Sequence, residues 1–148
     1  MPDETVLDPE AALASELRTS VLRLRRRLVN ERHPDNQLSF SAMAVLGCLH
    51  VRGDQTAADL ARHERVQPPS MARLLKGLIA QGLVVRRPHE SDGRQMWVSL
   101  TEHGRATVLA DRDRREAWLA RRLIELGPEE RRILAEAAPV LARLAQDD

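Results

Sequence analysis

Polar side chains recur at every third residue after Gln67, at Ser70, Arg73 and Lys76. Residues three apart lie on one face of an α-helix, so this spacing brings a hydroxyl, a guanidinium and an ammonium group to the same side. A guanidinium donates two parallel hydrogen bonds to guanine O6 and N7, and an ammonium group pairs with a phosphate. The pattern therefore indicates hydrogen-bond donation to a nucleic acid.

Each of these positions has its own expected partner in a DNA groove. Arg73 is predicted to contact guanine in a bidentate manner, which contributes about 1–3 kcal/mol of discrimination. Gln67 can pair with adenine, and Lys76, a turn further along, is predicted to meet a phosphate. Pro69 and Ser70 fall in the first turn, from which a recognition helix reads the bases.

A second group of charged residues falls in a predicted hairpin after Gly82. Arg94 lies at its tip, where a guanidinium can enter a narrow minor groove with enhanced negative potential. Asp92 is expected to fix that guanidinium through a hydrogen-bonded pair. Arg86 and Arg87 alternate sides of a strand, so only one should face the duplex, and Arg86 is the candidate.

The elements that position these groups are predicted from capping residues, turn residues and apolar periodicity. The first predicted helix is capped by Asp8 and ended by His33, and the second, Phe40–Val51, is capped by Ser39 and stopped by Gly53. The third helix is opened by Thr56 with Asp59, and the fourth runs from Pro68 to Gly82. Two strands follow at Leu83–Arg87 and Gln95–Leu100, then a fifth helix at Glu102–Leu126 capped by Thr101 and a sixth from Pro128. Pro139 predicts a kink in the last helix. The expected fold is mainly α with a small β-hairpin, about six helices and two to three short strands.

The apolar residues of the middle segments are assigned to the core. They are Met43, Leu46, Leu49, Leu60, Met71, Leu74, Leu75, Leu78 and Ile79. In the second strand, Met96, Val98 and Leu100 alternate with Trp97 and Ser99, which predicts two opposite faces. Cys48 is expected to be a small buried hydrophobe.

Charge is distributed unevenly over the 148 residues, although the net charge is only +1. Between Leu60 and Trp97, seven basic residues against three acidic ones give +4. Acidic residues at the ends compensate: Asp3, Glu4, Asp8, Glu10, Asp147 and Asp148. Local positive charge of this kind favours phosphate binding.

Several function classes find no support in the sequence. The single cysteine excludes an internal disulfide. The five histidines are scattered along the sequence, so we expect no metal site, and we expect no other cofactor. No glycine-rich phosphate loop or nucleophile motif points to an enzyme. No apolar stretch reaches membrane-spanning length and the N-terminus is acidic, so we expect a cytoplasmic protein without membrane contact.

The chain resembles the MarR (multiple antibiotic resistance regulator) family of winged-helix transcription factors. The resemblance rests on these segments: Leu38-Ser39-Phe40 with Val45-Leu46, Thr56-Ala57-Ala58-Asp59-Leu60-Ala61, Pro69-Ser70-Met71 leading to Leu78, Gly82-Leu83-Val84 with Arg86-Arg87, Asp92-Gly93-Arg94, and Val98-Ser99-Leu100-Thr101 with Gly104. It implies one domain over residues 1–148, with a winged helix-turn-helix DNA-binding lobe at 38–101 and dimerisation helices at 8–33 and 102–146.

The resemblance further implies a homodimer that binds a pseudo-palindromic operator in double-stranded DNA, and a repressor that a small-molecule effector releases. Candidate dimerisation residues are Leu13, Leu17, Val21, Leu141 and Leu144. Candidate walls of an effector pocket are Leu24, Leu28, Met43, Leu46 and Trp118. Some relatives sense oxidants through a cysteine near the start of the first helix, whereas Cys48 lies in the second helix and no tyrosine is present, so a redox role is not expected.

One alternative remains, in which the winged helix serves protein contacts without sequence-specific DNA binding. That alternative predicts apolar or acidic residues along the outer stripe of the fourth helix. The stripe instead carries Ser70, Arg73 and Lys76. A salt titration separates the two cases, because DNA affinity falls steeply with log salt concentration.

Overall fold

The computed structural model describes residues 8–146, so Asp3, Glu4, Asp147 and Asp148 lie outside the described residues. This range contains six α-helices and a three-stranded sheet. The elements are α1 (Pro9–Asn30), α2 (Phe40–Arg52), β1 (Gln55–Thr56), α3 (Ala57–His63), α4 (Pro68–Ala80), β2 (Val84–Pro88), β3 (Met96–Leu100), α5 (Glu102–Ile124) and α6 (Pro128–Leu144). The predicted fold class is confirmed.

The chain forms two compact units. The central unit is Arg32–Asp113, and the terminal unit comprises the chain on either side of it. The boundary between the units after Asp113 falls within α5. The central unit holds α2 to α4, the sheet and the first part of α5. The residue bounds given above for a DNA-binding lobe and for dimerisation helices stay predictions.

The helix ends follow the predicted capping chemistry. Asp8 caps α1 and accepts a hydrogen bond from a first-turn backbone N–H at 3.3 Å, and Ser39 does the same for α2 at 3.1 Å. Gly53 ends α2 with φ of 78° and ψ of −161°, a positive-φ conformation that glycine adopts without a Cβ penalty. α2 therefore extends one residue beyond the predicted end, to Arg52.

A reciprocal capping box starts α3. Thr56 Oγ1 accepts from the backbone N–H of Asp59 at 3.1 Å, and Asp59 Oδ2 accepts from the backbone N–H of Thr56 at 3.3 Å. Thr56 Oγ1 also donates to Asp59 Oδ2 at 2.8 Å. Two backbone donors at the helix start are thereby satisfied, and the predicted box is confirmed.

The sheet has the order β1-β3-β2, and both pairings are antiparallel. The register of the hairpin sets Val84 opposite Leu100 and Arg87 opposite Trp97. The simple alternation predicted for β3 is wrong at two positions, because Met96 is 38% exposed and Ser99 is buried. The Ser99 hydroxyl has a hydrogen-bond partner, described below, which allows a polar group to be buried there.

The core of the central unit lies between α2, α3, α4 and the sheet. Its buried apolar residues include Met43, Leu46, Leu49, Leu60, Met71, Leu75, Leu78, Val84 and Val98, with Leu74 packed at the edge. The assignment of Ile79 to this core is wrong, since Ile79 is 36% exposed. It follows Leu78 directly, and a helix turns successive side chains by about 100° away from a shared face.

The start of α5 packs tightly against the strand region. Thr101 Oγ1 accepts from the backbone N–H of Gly104 at 3.0 Å and donates to the carbonyl of Gly82 at 2.6 Å. A Cβ on Gly104 would lie 2.0 Å from the carbonyl oxygen of Leu83. Glycine is therefore required by close approach of the two backbones.

The terminal unit buries little of its own apolar surface. Neither α1 nor α6 contains a buried residue in this chain. α5 ends at Ile124, two residues before the predicted Leu126, and α6 continues through Pro139. Among the described residues, no helix has the length and apolarity needed to cross a membrane.

Candidate nucleic-acid interface

The N-terminus of α4 is set by an extended residue followed by two prolines. Gln67 is the N-cap, with φ −68° and ψ 145°, and Pro68 and Pro69 occupy the first turn. Proline is tolerated there because the first helical N–H groups have no partner within the helix. Met71, Leu75 and Leu78 are buried and anchor the opposite face.

The outward face of α4 is polar and cationic. All five candidate residues of this segment are exposed: Gln67, Pro69, Ser70, Arg73 and Lys76. α4 carries no acidic residue, so nothing within the helix neutralises Arg73 and Lys76. This surface, called the α4 stripe below, presents hydrogen-bond donors on a rigid helix.

A surface cleft of about 510 Å³ lies beside the α4 stripe. Ser70, Arg73 and Leu74 line one side, and residues at the start of α2, among them Ser39 and Ser41, line the other. Two residues of the stripe, Ser70 and Arg73, therefore face an open cleft.

β2, β3 and the loop between them are called the wing, and its loop is ordered by local contacts. The backbone N–H of His89 donates to the carbonyl of Gln95 at 3.1 Å, and the His89 ring stacks on Trp97 with centroids 4.4 Å apart. Asp92 Oδ1 accepts from the backbone N–H of Arg94 at 3.0 Å. The prediction that Asp92 fixes the Arg94 guanidinium is thus wrong, because a side chain two residues earlier reaches the backbone amide in a local turn.

The two wing arginines assigned to DNA line one cleft. Arg86 and Arg94 lie beside a cleft of about 250 Å³, together with Thr56, Ala57 and Ala58 at the start of α3. Both arginine side chains belong to exposed residues. The structure therefore brings two cations of the wing next to the helix-turn-helix.

Arg87 makes two side-chain contacts within the central unit, although its side chain remains 57% exposed. Its Nε donates to Ser99 Oγ at 3.1 Å, and its Nη2 pairs with Asp54 Oδ2. The expectation that only one arginine of this pair faces a duplex, with Arg86 as the candidate, stays a prediction.

The other predicted sites fall in different parts of the chain. The candidate dimerisation residues all lie on α1 and α6 and are exposed by a third or more: Leu13, Leu17, Val21, Leu141 and Leu144. Of the candidate effector-pocket walls, Met43 and Leu46 are buried in the core of the central unit, while Leu24, Leu28 and Trp118 belong to the terminal unit. In that unit Arg27 and Arg122 lie over the Trp118 ring, at 4.7 and 5.6 Å from its centroid.

Cys48 is partly buried at the edge of the core. Desolvation raises the pKa of its thiol, and the nearby charge of Glu64 adds to the rise. The thiol form is therefore favoured over the reactive thiolate at neutral pH. In the part of the chain that the structure describes, no cluster of three or more His, Cys, Asp or Glu residues is arranged to hold a metal ion.

Two groups of side-chain contacts were not predicted from the sequence. One is the Arg87, Asp54 and Ser99 cluster, whose members are far apart in the chain. The other is Asp111, which is 1% exposed and accepts hydrogen bonds from the backbone of His33 and the side chain of Asn36. No feature of the sequence singles out Asp111, because α5 also contains three other acidic residues, Glu102, Asp113 and Glu116.

Comparison with known proteins gives consistent matches over almost the whole chain. The model of the MarR family matches residues 38–96. An uncharacterized HTH-type transcriptional regulator from Mycobacterium bovis and an HTH-type transcriptional regulator from Mycobacterium tuberculosis are each 43% identical over 142 residues, which cover 96% of this chain and 99% of theirs.

Solved structures show the same fold. A Pseudomonas aeruginosa protein, whose crystal structure is described as that of a transcriptional regulator, superposes with a TM-score of 0.83 at 39% identity, covering 94% of this chain and 96% of that one. Wild-type MarR from Escherichia coli superposes with a TM-score of 0.70 at 22% identity over 89% of this chain and 96% of its own.

Proposed function

Because this chain belongs to the MarR family of transcriptional regulators, we propose that it binds a pseudo-palindromic operator as a homodimer and represses transcription there. The observation that carries the DNA-binding part is the α4 stripe, an exposed helical surface with two cations and no acid. Such a helix fits the major groove, which is about 12 Å wide.

Within the stripe, Arg73 is proposed to read guanine through a bidentate contact. Gln67 and Ser70, nearer the helix start, are proposed to contact base edges as well, with Pro69 packed against the same groove. Lys76 is proposed to neutralise a phosphate. These roles are supported by the exposure of all five residues and by the buried anchors on the opposite face of α4.

The wing is proposed to contact the duplex beside the recognition helix. Arg94 would enter the minor groove and Arg86 would meet the adjacent backbone. Their shared cleft at the start of α3 supports this proposal, as does the pairing of the Arg87 guanidinium with Ser99 and Asp54. Asp92 would act on the loop backbone, by holding the amide of Arg94.

The homodimer is proposed from the unburied apolar surface of the terminal unit. Leu13 is 56% exposed and Leu144 is 71% exposed, on helices without a single buried residue. Exposed apolar area of this kind is stabilised by burial against a second copy. Two-fold symmetry would then set two α4 stripes about one helical turn of DNA apart, roughly 34–36 Å.

Sedimentation of substituted proteins tests the dimer. Leu13→Glu should shift the protein toward monomer and weaken operator binding, because an unpaired carboxylate would be buried in the interface. Val51→Glu is the matched control, since Val51 is 82% exposed but lies on α2, outside the proposed interface. A dimer that tolerates Leu13→Glu as well as Val51→Glu contradicts the assignment.

We also propose that a small-molecule effector releases the protein from DNA by binding the DNA-free form more tightly. Leu24, Leu28, Met43, Leu46 and Trp118 are its proposed contacts. In a Trp97→Phe variant, Trp118 fluorescence should change when such a compound binds. A compound that releases DNA while leaving Trp118 emission unchanged would contradict these contacts.

A salt titration on an operator selected from random DNA tests the function itself. DNA binding predicts that log affinity falls linearly with log salt concentration, and sequence-specific binding further predicts that the selection enriches a common sequence. A selection that enriches no common sequence would favour the protein-interaction alternative.

A further inference from the structure

Arg87 connects three elements at the base of the wing. Its Nε donates to Ser99 Oγ on β3 at 3.1 Å, and its Nη2 pairs with Asp54, the residue before β1. Arg87 itself belongs to β2, so its guanidinium reaches across the central strand of the sheet. The cluster of Arg87, Asp54 and Ser99 is called the wing anchor.

The backbone alone joins β1 to the sheet only weakly. β1 has two residues, Gln55 and Thr56, which pair with Val98 and Trp97. So short a strand offers few ladder hydrogen bonds, and the Asp54 contact adds a side-chain connection at its start. Because Thr56 is also the N-cap of α3, the position of Asp54 bears on where the helix-turn-helix begins.

The wing anchor and the DNA-facing arginines use neighbouring residues on β2. Arg86 faces the cleft that it shares with Arg94, whereas Arg87 is held by Ser99 and Asp54. Any shift of β2 relative to β1 would therefore move Arg86 and Arg94 relative to α3.

We propose that Arg87 is a positioning residue, which sets the wing relative to the helix-turn-helix through Asp54 and Ser99 and does not itself contact DNA. The inference rests on the proposed DNA-binding function. It assigns an affinity-determining role to an acidic residue and to a buried serine, neither of which can attract a phosphate by charge.

The sign of the Asp54→Asn effect separates positioning from electrostatics. Removing a negative charge from a DNA-binding surface should tighten binding if long-range charge alone matters. If Asp54 holds Arg87, the same substitution should weaken operator affinity on the order of threefold to tenfold. Glu90→Gln is the matched control in the wing loop, and it should leave affinity unchanged or raise it.

Three further variants complete the test by titration of a fluorescent operator. Ser99→Ala changes no charge at a residue that is 7% exposed, and it should weaken binding in the same direction as Asp54→Asn. The double variant Arg87→Gln with Asp54→Asn should bind the operator no more weakly than Arg87→Gln alone, because both substitutions remove the same pair between Arg87 and Asp54. Circular dichroism and urea unfolding are recorded for each variant, so that affinities are compared only between folded proteins.

The outcomes distinguish this proposal from the proposed function. Absence of operator binding by the unsubstituted protein would overturn the DNA-binding function on which it depends. The positioning role would be overturned if Asp54→Asn raised operator affinity, or if Ser99→Ala left operator affinity unchanged. Either result would leave the proposed DNA-binding function intact. Weaker binding by both variants, with Glu90→Gln as strong as the parent, would establish it.

Discussion

The side-chain amide of Asn36 donates a hydrogen bond from Nδ2 to Oδ2 of Asp111 over 2.6 Å, although 75 residues separate the two in sequence. Asp111 Oδ1 also accepts from the backbone N–H of His33 at 3.0 Å. One buried carboxylate on α5 thus fixes the segment that leads into α2. Its removal would leave polar groups of that segment without their acceptor.

Asp111→Ala should lower the free energy of unfolding by about 2–4 kcal/mol, since buried donors lose their partner. Urea unfolding followed by circular dichroism measures this effect. Asp113→Ala is the control, because Asp113 is exposed two residues later and its loss should change stability by no more than about 0.5 kcal/mol. Equal effects of the two substitutions would contradict the anchoring role.

The capping box of α3 predicts a pH-dependent contribution to stability. The side-chain hydrogen bond from Thr56 is the main cause that holds the pKa of Asp59 below its ordinary value of 3.8. A carboxylate with a depressed folded pKa contributes stability that is fully present above the unfolded pKa and is lost as pH falls through the folded pKa. Asp59→Asn should therefore cost stability at pH 7 and cost progressively less below about pH 4.

Thr56→Ala should lower the free energy of unfolding by about 0.5–2 kcal/mol, the usual cost of losing an N-cap. Urea unfolding of both variants at pH 7 and at pH 3 provides the comparison. A deficit of Asp59→Asn that stays constant between these pH values would show that the carboxylate charge is not the stabilising feature.

The turn between α3 and α4 contains a residue in the left-handed region. Arg65 has φ of 52°, where a Cβ is disfavoured. Arg65→Gly should therefore stabilise the protein by roughly 0.5–1 kcal/mol. Gly82→Ala, at φ of 70°, is the converse substitution and should destabilise it by a similar or larger amount. Thermal unfolding of the two variants should move in opposite directions, and a shift of both to lower temperature would contradict this prediction for Arg65.

The raised pKa of the Cys48 thiol predicts low reactivity. Burial is its first cause, so alkylation by iodoacetamide at pH 7 should be slow and should accelerate as pH rises above the ordinary thiol range. Peroxide should leave operator binding unchanged in the native protein. Loss of binding on oxidation in the native protein, but not in Cys48→Ser, would establish a redox role instead.

Local chemistry allowed most of the helix boundaries to be predicted. Asp8, Ser39, Thr56 and Gly53 act within a few residues of their own backbone, and each cap was found where the sequence placed it. The exposed arginine and lysine of α4 could be predicted for the same reason, because helical spacing fixes which residues share a face.

Features that depend on distant partners could not be predicted in this way. The buried hydroxyl of Ser99 accepts a hydrogen bond from Arg87, and the Arg87 guanidinium also pairs with Asp54, 33 residues away in sequence. For Asp92 the partner residue was predicted but the partner group was not, because the carboxylate accepts from the Arg94 backbone amide and was expected to pair with the Arg94 guanidinium. Register and side-chain networks are set by tertiary packing, which periodicity does not encode.

The central claim is that the α4 stripe reads DNA, and operator binding by Arg73→Ala tests it most directly. Arg105→Ala is the matched control, since it removes the same charge from an exposed residue on α5, outside the proposed interface. On an operator selected with the parent protein, Arg73→Ala should cost roughly 1–3 kcal/mol per recognised guanine and relax the preference at that base pair. Affinity and base preference equal to those of Arg105→Ala would contradict the claim.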